Sequence, residues 1–166
     1  MKFVILLLLL RVSVPVYGEP ELSAVRKLFY MAAVESSASV EFSKTLKSVN
    51  ENSSALMFCY KGAAHMMEAK YAFNPITKFI KFSKGKSAIE RSIAREQENL
   101  EMRFLRFSIQ VNLPGFLGYN DQIQADKLKL LSKINDLDDK FLKEKITAYL
   151  IASKRCSQAE LKKLQR

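Results

Sequence analysis

Apolar residues recur along this chain at intervals of three and four, and no stretch alternates as a strand would. Leu22, Val25, Leu28, Phe29 and Ala32 make one stripe over about 21 to 34, and Phe42, Leu46 and Val49 make another over about 38 to 49. Ser53 or Ser54 is placed to cap a longer helix, with Leu56, Cys59, Tyr60, Ala63, Met66 and Met67 on one face, ending near Asn74-Pro75. Its opposite face carries Phe58, Gly62, His65 and Ala69, so this helix is expected to pack on two sides. The same doubling recurs over about 99 to 112, with Leu100, Phe104, Phe107 and Val111 facing one way and Met102, Leu105, Ile109 and Leu113 the other. Between the two, Ile76 to Phe82 reads as a short helix or turn with Ile76, Phe79 and Ile80 inward and Lys78 and Lys81 outward. Gly85 to Arg95 reads as a separate helical run with Ala88, Ile89 and Ile93 inward. After Pro114-Gly115 and Gly118 come a helix marked by Ile123, Leu130, Leu131, Ile134 and Leu137, one marked by Leu142, Ile146, Tyr149 and Leu150, and a short one over Ser157 to Leu164.

The first 18 residues stand outside this pattern. Met1 and Lys2 precede an apolar run, Phe3 to Leu10, and Val16-Tyr17-Gly18 supplies small residues where a signal peptidase cuts. Arg11, Pro15 and Glu19 interrupt the run well short of the roughly 20 residues a membrane span needs. The expectation is a signal peptide over 1–18, cleavage after Gly18, and one helical domain over 19–166, placed in the periplasm or outside the cell. The whole chain of 166 residues carries 27 Lys and Arg against 17 Asp and Glu, a formal +10. Cleavage removes only Lys2 and Arg11, so the basic balance persists. An oxidising compartment leaves two readings for Cys59 and Cys156, a disulfide or two small buried hydrophobes.

Consecutive helix pairs joined by short turns, with the middle helices buried on both faces, predict an all-α fold, a short α-solenoid of about seven helices. Gly85 to Arg103, GKSAIERSIAREQENLEMR, resembles the second helix of a tetratricopeptide repeat running into the next repeat. Gly85 and Ser92 stand where that family has small residues, Asn99-Leu100-Glu101 resembles the restart, and Phe58, Gly62 and His65 match the spacing of the repeat's first helix. Gln97 stands where the family usually has a proline. Tyr60 to Leu131, through Phe73-Asn74-Pro75, Arg103-Phe104-Leu105-Arg106-Phe107 and Phe116-Leu117-Gly118-Tyr119, is similar to small exported helical proteins of Gram-negative bacteria. That resemblance implies export and a tetratricopeptide-like fold, with no activity attached.

Candidate chemistry is sparse. His65 is the sole histidine and lacks the second histidine one turn on that a zinc-protease helix requires. Asp136, Asp138 and Asp139 lack the glycine and distal glutamate of a calcium loop, so capping or solvation is expected. No catalytic residue, metal site or cofactor is expected, and the chain is read as a non-enzyme. Arg103, Arg106 and Gln110 form the one polar stripe of their helix. Their side chains either pair internally with Glu68, Glu96 or Glu101, or line a groove that holds a carboxylate or phosphate. Lys70, Lys78, Lys81, Lys84 and Lys86 form a second candidate, an acid-free run interleaved with Tyr71, Phe73, Phe79 and Phe82. The expected function is a non-catalytic interaction module of the cell envelope that binds a protein or peptide. The alternative is a binder of, or enzyme on, an anionic envelope molecule such as a membrane surface or polymer, using the Arg103/Arg106 groove and the lysine segment; export argues against nucleic acid.

Overall fold

The computed structural model describes residues 18–164, so the expected signal peptide, Gly18 apart, lies outside the described residues. Those residues form eight α-helices and two 3-10 turns, with no strand among them. Helices α1 (Leu22–Ala32) and α2 (Ser36–Thr45) make a first hairpin, and α3 (Ala55–Tyr71) and α4 (Pro75–Arg95) a second. Helix α5 (Leu100–Asn112) leads through the 3-10 turn Gly115–Leu117 to α6 (Ile123–Lys133). A second 3-10 turn, Ile134–Asp136, precedes α7 (Lys140–Ala152) and α8 (Gln158–Leu164).

Local chemistry sets the helix starts. Ser54 accepts a hydrogen bond from Met57 N at the head of α3, and Asn99 accepts one from Met102 N at the head of α5. Asn74 caps α4 through Ile76 N and Thr77 N, with Pro75 in the first turn where its missing N–H costs nothing. Asp139 caps α7 through Leu142 N at 2.9 Å, and Asp136 pairs with Lys133 at 3.5 Å, the capping and solvation expected of that cluster.

The odd-numbered helices form a row, α3 on α1, α5 on α3 and α7 on α5, while α2, α4 and α6 each lie against the helix before them. Helices α1 and α3 run in the same direction: Glu19 accepts from Ser54 N and Oγ at one end, and Tyr71 Oη reaches Ala32 O at the other. Two cores result. One gathers Phe29, Phe42, Leu46, Tyr60 and Ile89; the other gathers Phe104, Phe107, Leu130, Ile146 and Leu150. Helix α5 divides them, giving Met102, Leu105 and Ile109 to the first and Phe104 and Phe107 to the second, as its two apolar faces require. Cys59 is buried in the first core and Cys156 packs against the second, so the thiols remain free and separate.

The segment from 75 to 95 departs from expectation. It is one continuous helix, with no break at Lys84-Gly85-Lys86. Gly85 is there for close approach: a side chain at Gly62 would lie 2.8 Å from Ile89 Cγ1 and 2.9 Å from Gly85 O, and one at Gly85 would lie 2.8 Å from Gly62 O. The two glycines let the backbones of α3 and α4 touch, which fixes the rotation of α4. Gly85 and Ile89 point at α3, and Ile76, nine residues before Gly85, lies half a turn away. Ile76, Phe79 and Ile80 therefore face solvent, reversing the expected inward orientation. They are 70%, 68% and 46% exposed, and Phe73 in the preceding turn is fully exposed.

Candidate interaction surface at the tip of the central hairpin

Both polar features of the sequence are resolved side chain by side chain, and they part company. Arg106 is 3% exposed and Asp126, on α6, is fully buried. Arg106 donates from Nε to Asp126 Oδ2 at 2.7 Å and from Nη2 to Oδ1 at 2.8 Å, a bidentate pair. Its Nη1 donates to Glu90 Oε2 at 2.6 Å, and Glu90 also accepts from Tyr119 Oη at 2.6 Å. Arg103 donates to Asp126 Oδ1 at 3.0 Å and to the Gln97 carbonyl from Nε and Nη2. Burial opposes the charge on Arg106, but the hydrogen bonds and field of Asp126 outweigh it and hold the guanidinium more firmly protonated than usual. The Tyr119 hydroxyl is pushed up, first by burial and then by Glu90.

The groove expected of Arg103, Arg106 and Gln110 is thus closed by α4 and α6. Internal pairing holds, with Asp126 and Glu90 as partners in place of Glu68, Glu96 or Glu101. Gln110 is 1% exposed, and neither of its amide atoms has a hydrogen-bond partner. Glu101 serves a second network: Arg26 donates to both of its carboxylate oxygens, at 2.7 and 2.6 Å, and to Asp139 at 2.8 Å, while Tyr60 Oη donates to Glu101 at 2.5 Å. This ties α1, α3, α5 and the cap of α7 together.

The lysine segment lies on the surface, at the tip where α3 ends and α4 begins. Lys78 and Lys84 are exposed and Lys81 is half-buried. Lys81 Nζ donates to Glu68 Oε2 at 2.9 Å, and His65 Nδ1 meets the same oxygen at 2.7 Å. Burial raises the Glu68 carboxyl, but the bonds to His65 and Lys81 overcome it and bring the carboxyl down to about 2. Lys86 sits 5.0 Å over the ring of Tyr119, whose edge meets Phe82 at 6.1 Å. Lys70 donates to the Ala33 carbonyl. Of the aromatics expected beneath these cations, Phe82 is half-buried, whereas Phe73 and Phe79 stand in solvent. No acid occurs between Glu68 and Glu90.

Reasoning from sequence missed Asp126, Glu90 and Arg26, and named Glu101 as a partner for Arg103 and Arg106, whereas it serves Arg26 and Tyr60. A signal existed for two of them. Asp126 lies on the stripe of Ile123, Leu130 and Ile134, and Arg26 on the stripe of Leu22, Val25 and Phe29, where a charge needs a buried partner.

Two clefts lie away from the tip: one of about 550 Å³ between α1 and α7, lined by Arg26, Tyr30, Phe141 and Lys145 among others, and one of about 480 Å³ along α7. Lys145 packs over Tyr30 and Phe141 in the first, and burial pushes the Tyr30 hydroxyl up to about 12. Among the described residues no helix is long and apolar enough to cross a membrane. Comparison with protein-family models, with curated proteins and with solved structures found no match to this chain.

Proposed function

We propose that this chain is an exported, non-catalytic helical docking module that attaches to a component of the cell envelope through the apolar face at the start of α4. The observation that carries this reading is the exposure of Phe73, Ile76, Phe79 and Ile80 together, four large apolar side chains within eight residues at the tip of the central hairpin. Monomeric proteins rarely leave such side chains contiguous and open unless something covers them. The lysines of the same segment place positive charge beside the apolar strip, and Arg103 and Arg106, with their donors committed to Asp126, Glu90 and Gln97, offer no competing site.

Export rests on the charged, apolar and small-residue succession of Met1 to Gly18. The short tetratricopeptide-like α-solenoid is supported by the row of odd helices and by the glycine contact between α3 and α4. Arg26, which joins α1 to α5 and to the cap of α7, adds a contact beyond nearest neighbours that an open solenoid lacks.

The test is retention of the protein by an envelope preparation containing membranes and soluble proteins. Phe79→Ser/Ile80→Ser, with an unchanged far-UV circular dichroism spectrum, is expected to lower the retained fraction at least tenfold. Equal retention of wild type and variant, or no retention of either, overturns the reading.

A further inference from the structure

We infer that the component bound at the tip is the surface of an anionic lipid bilayer, into which the start of α4 inserts its apolar face. The inference rests on the docking reading above and names its partner. Phe73, Ile76, Phe79 and Ile80 are exposed at the end of a hairpin, and neither the cleft between α1 and α7 nor the cleft along α7 includes a residue of this segment. A protruding apolar strip suits a yielding phase more than a peptide, which needs walls on either side of it.

Charge points the same way. The 21 residues between Glu68 and Glu90 hold five lysines and no acid. Lys84 borders the apolar strip, 40° round the helix from Ile80 at 100° per residue. Lys78 is exposed behind the strip, with no ion-pair partner among the described residues. An exposed apolar helix face with phenylalanine, bordered by Lys84 and backed by Lys78, combines the apolar and basic residues of helices that lie in a bilayer interface. A second copy of the chain is a poorer occupant, because an isologous contact would bring the acid-free lysine surface against itself.

A further exposed apolar residue lies on the connection after α5. Helix α5 lies beside α4, with Arg106 meeting Glu90, and Tyr119 in the connection after α5 meets Phe82 of α4 edge to face. Phe116, three residues before Tyr119, is 87% exposed on the 3-10 turn.

The experiment is co-sedimentation of the protein with vesicles of phosphatidylcholine alone and of phosphatidylcholine with phosphatidylglycerol, at low and high salt. Sedimentation velocity without lipid accompanies it. Binding is expected to the anionic vesicles, with weak binding to the zwitterionic ones. Lys78→Gln/Lys84→Gln is expected to weaken it by about fivefold per lysine, and Phe79→Ser/Ile80→Ser by more than tenfold. High salt should reduce the first contribution and leave the second. No vesicle binding, or binding that survives Phe79→Ser/Ile80→Ser, overturns the inference. Failure with vesicles while those substitutions still abolish retention by the envelope preparation leaves docking intact with a protein partner. A lipid-free dimer abolished by the same substitutions assigns the face to a second copy. Failure of both vesicle binding and retention removes the docking reading as well.

Discussion

Asp126 is a carboxylate fully removed from solvent and held between Arg106 and Arg103. Deleting its charge leaves two guanidinium groups facing an amide, and breaking a buried pair from one side costs about 3–5 kcal/mol. Asp126→Asn is therefore expected to lower unfolding free energy by about that much in urea titration. Glu51→Gln, which breaks an exposed pair with Arg91, should change it by no more than about 1 kcal/mol. Equal effects of the two substitutions would contradict a buried network. Glu68 makes a second residue-scale prediction. Its carboxyl is held at about 2 by His65 and Lys81 against the raising effect of burial, below the usual glutamate value of about 4.3. Its contribution is complete above about pH 4.3 and is lost as pH falls towards 2. The urea midpoint of wild type should fall across that window more steeply than that of Glu68→Gln, and parallel profiles would contradict the assignment.

At the scale of the element, the contact between Gly62 and Gly85 decides where α4 points. An alanine usually favours a helix over glycine by about 0.5–1 kcal/mol. At Gly62 its methyl would meet the Gly85 carbonyl oxygen at 2.9 Å, and backbone on the far side of the contact has nowhere to retreat. Gly62→Ala is expected to destabilise by about 1–3 kcal/mol, and Gly62→Leu by more. A raised melting temperature for Gly62→Ala would show that the helices stand further apart. The same contact explains what the sequence revealed and what it hid. The three-and-four spacing located α1, α3, α5 and α7, and the doubled faces of α3 and α5 placed them in the middle of the stack. Ser54 and Asp139 were visible as caps because capping depends on neighbours a few residues away. The direction faced by Ile76, Phe79 and Ile80 was not visible, because local periodicity identifies an apolar face without saying what covers it. That depends on Gly62, 14 to 18 residues earlier on the adjoining helix. Arg103 and Arg106 failed as a groove for the same kind of reason: their partner Asp126 comes from α6, and only its place on an apolar stripe hinted that it turns inward.

Across the whole molecule, two cores joined by α5 and fastened by Arg26 and Arg106 make a scaffold whose internal charges are paired with one another. One end is left with an open apolar strip and unpaired lysines. The central claim is that this strip is open in the free protein and becomes covered when the protein docks. The chain has no tryptophan, so Phe79→Trp places a single reporter on the strip, and Ile151→Trp, at an exposed position on α7, provides the control. The measurement is tryptophan emission and acrylamide quenching of each variant, free and with anionic vesicles. The account predicts red, fully quenchable emission from Phe79→Trp alone, a blue shift and protection from quencher with vesicles, and no change in Ile151→Trp. Blue, protected emission from Phe79→Trp in the free protein, or emission unmoved by vesicles, would contradict it.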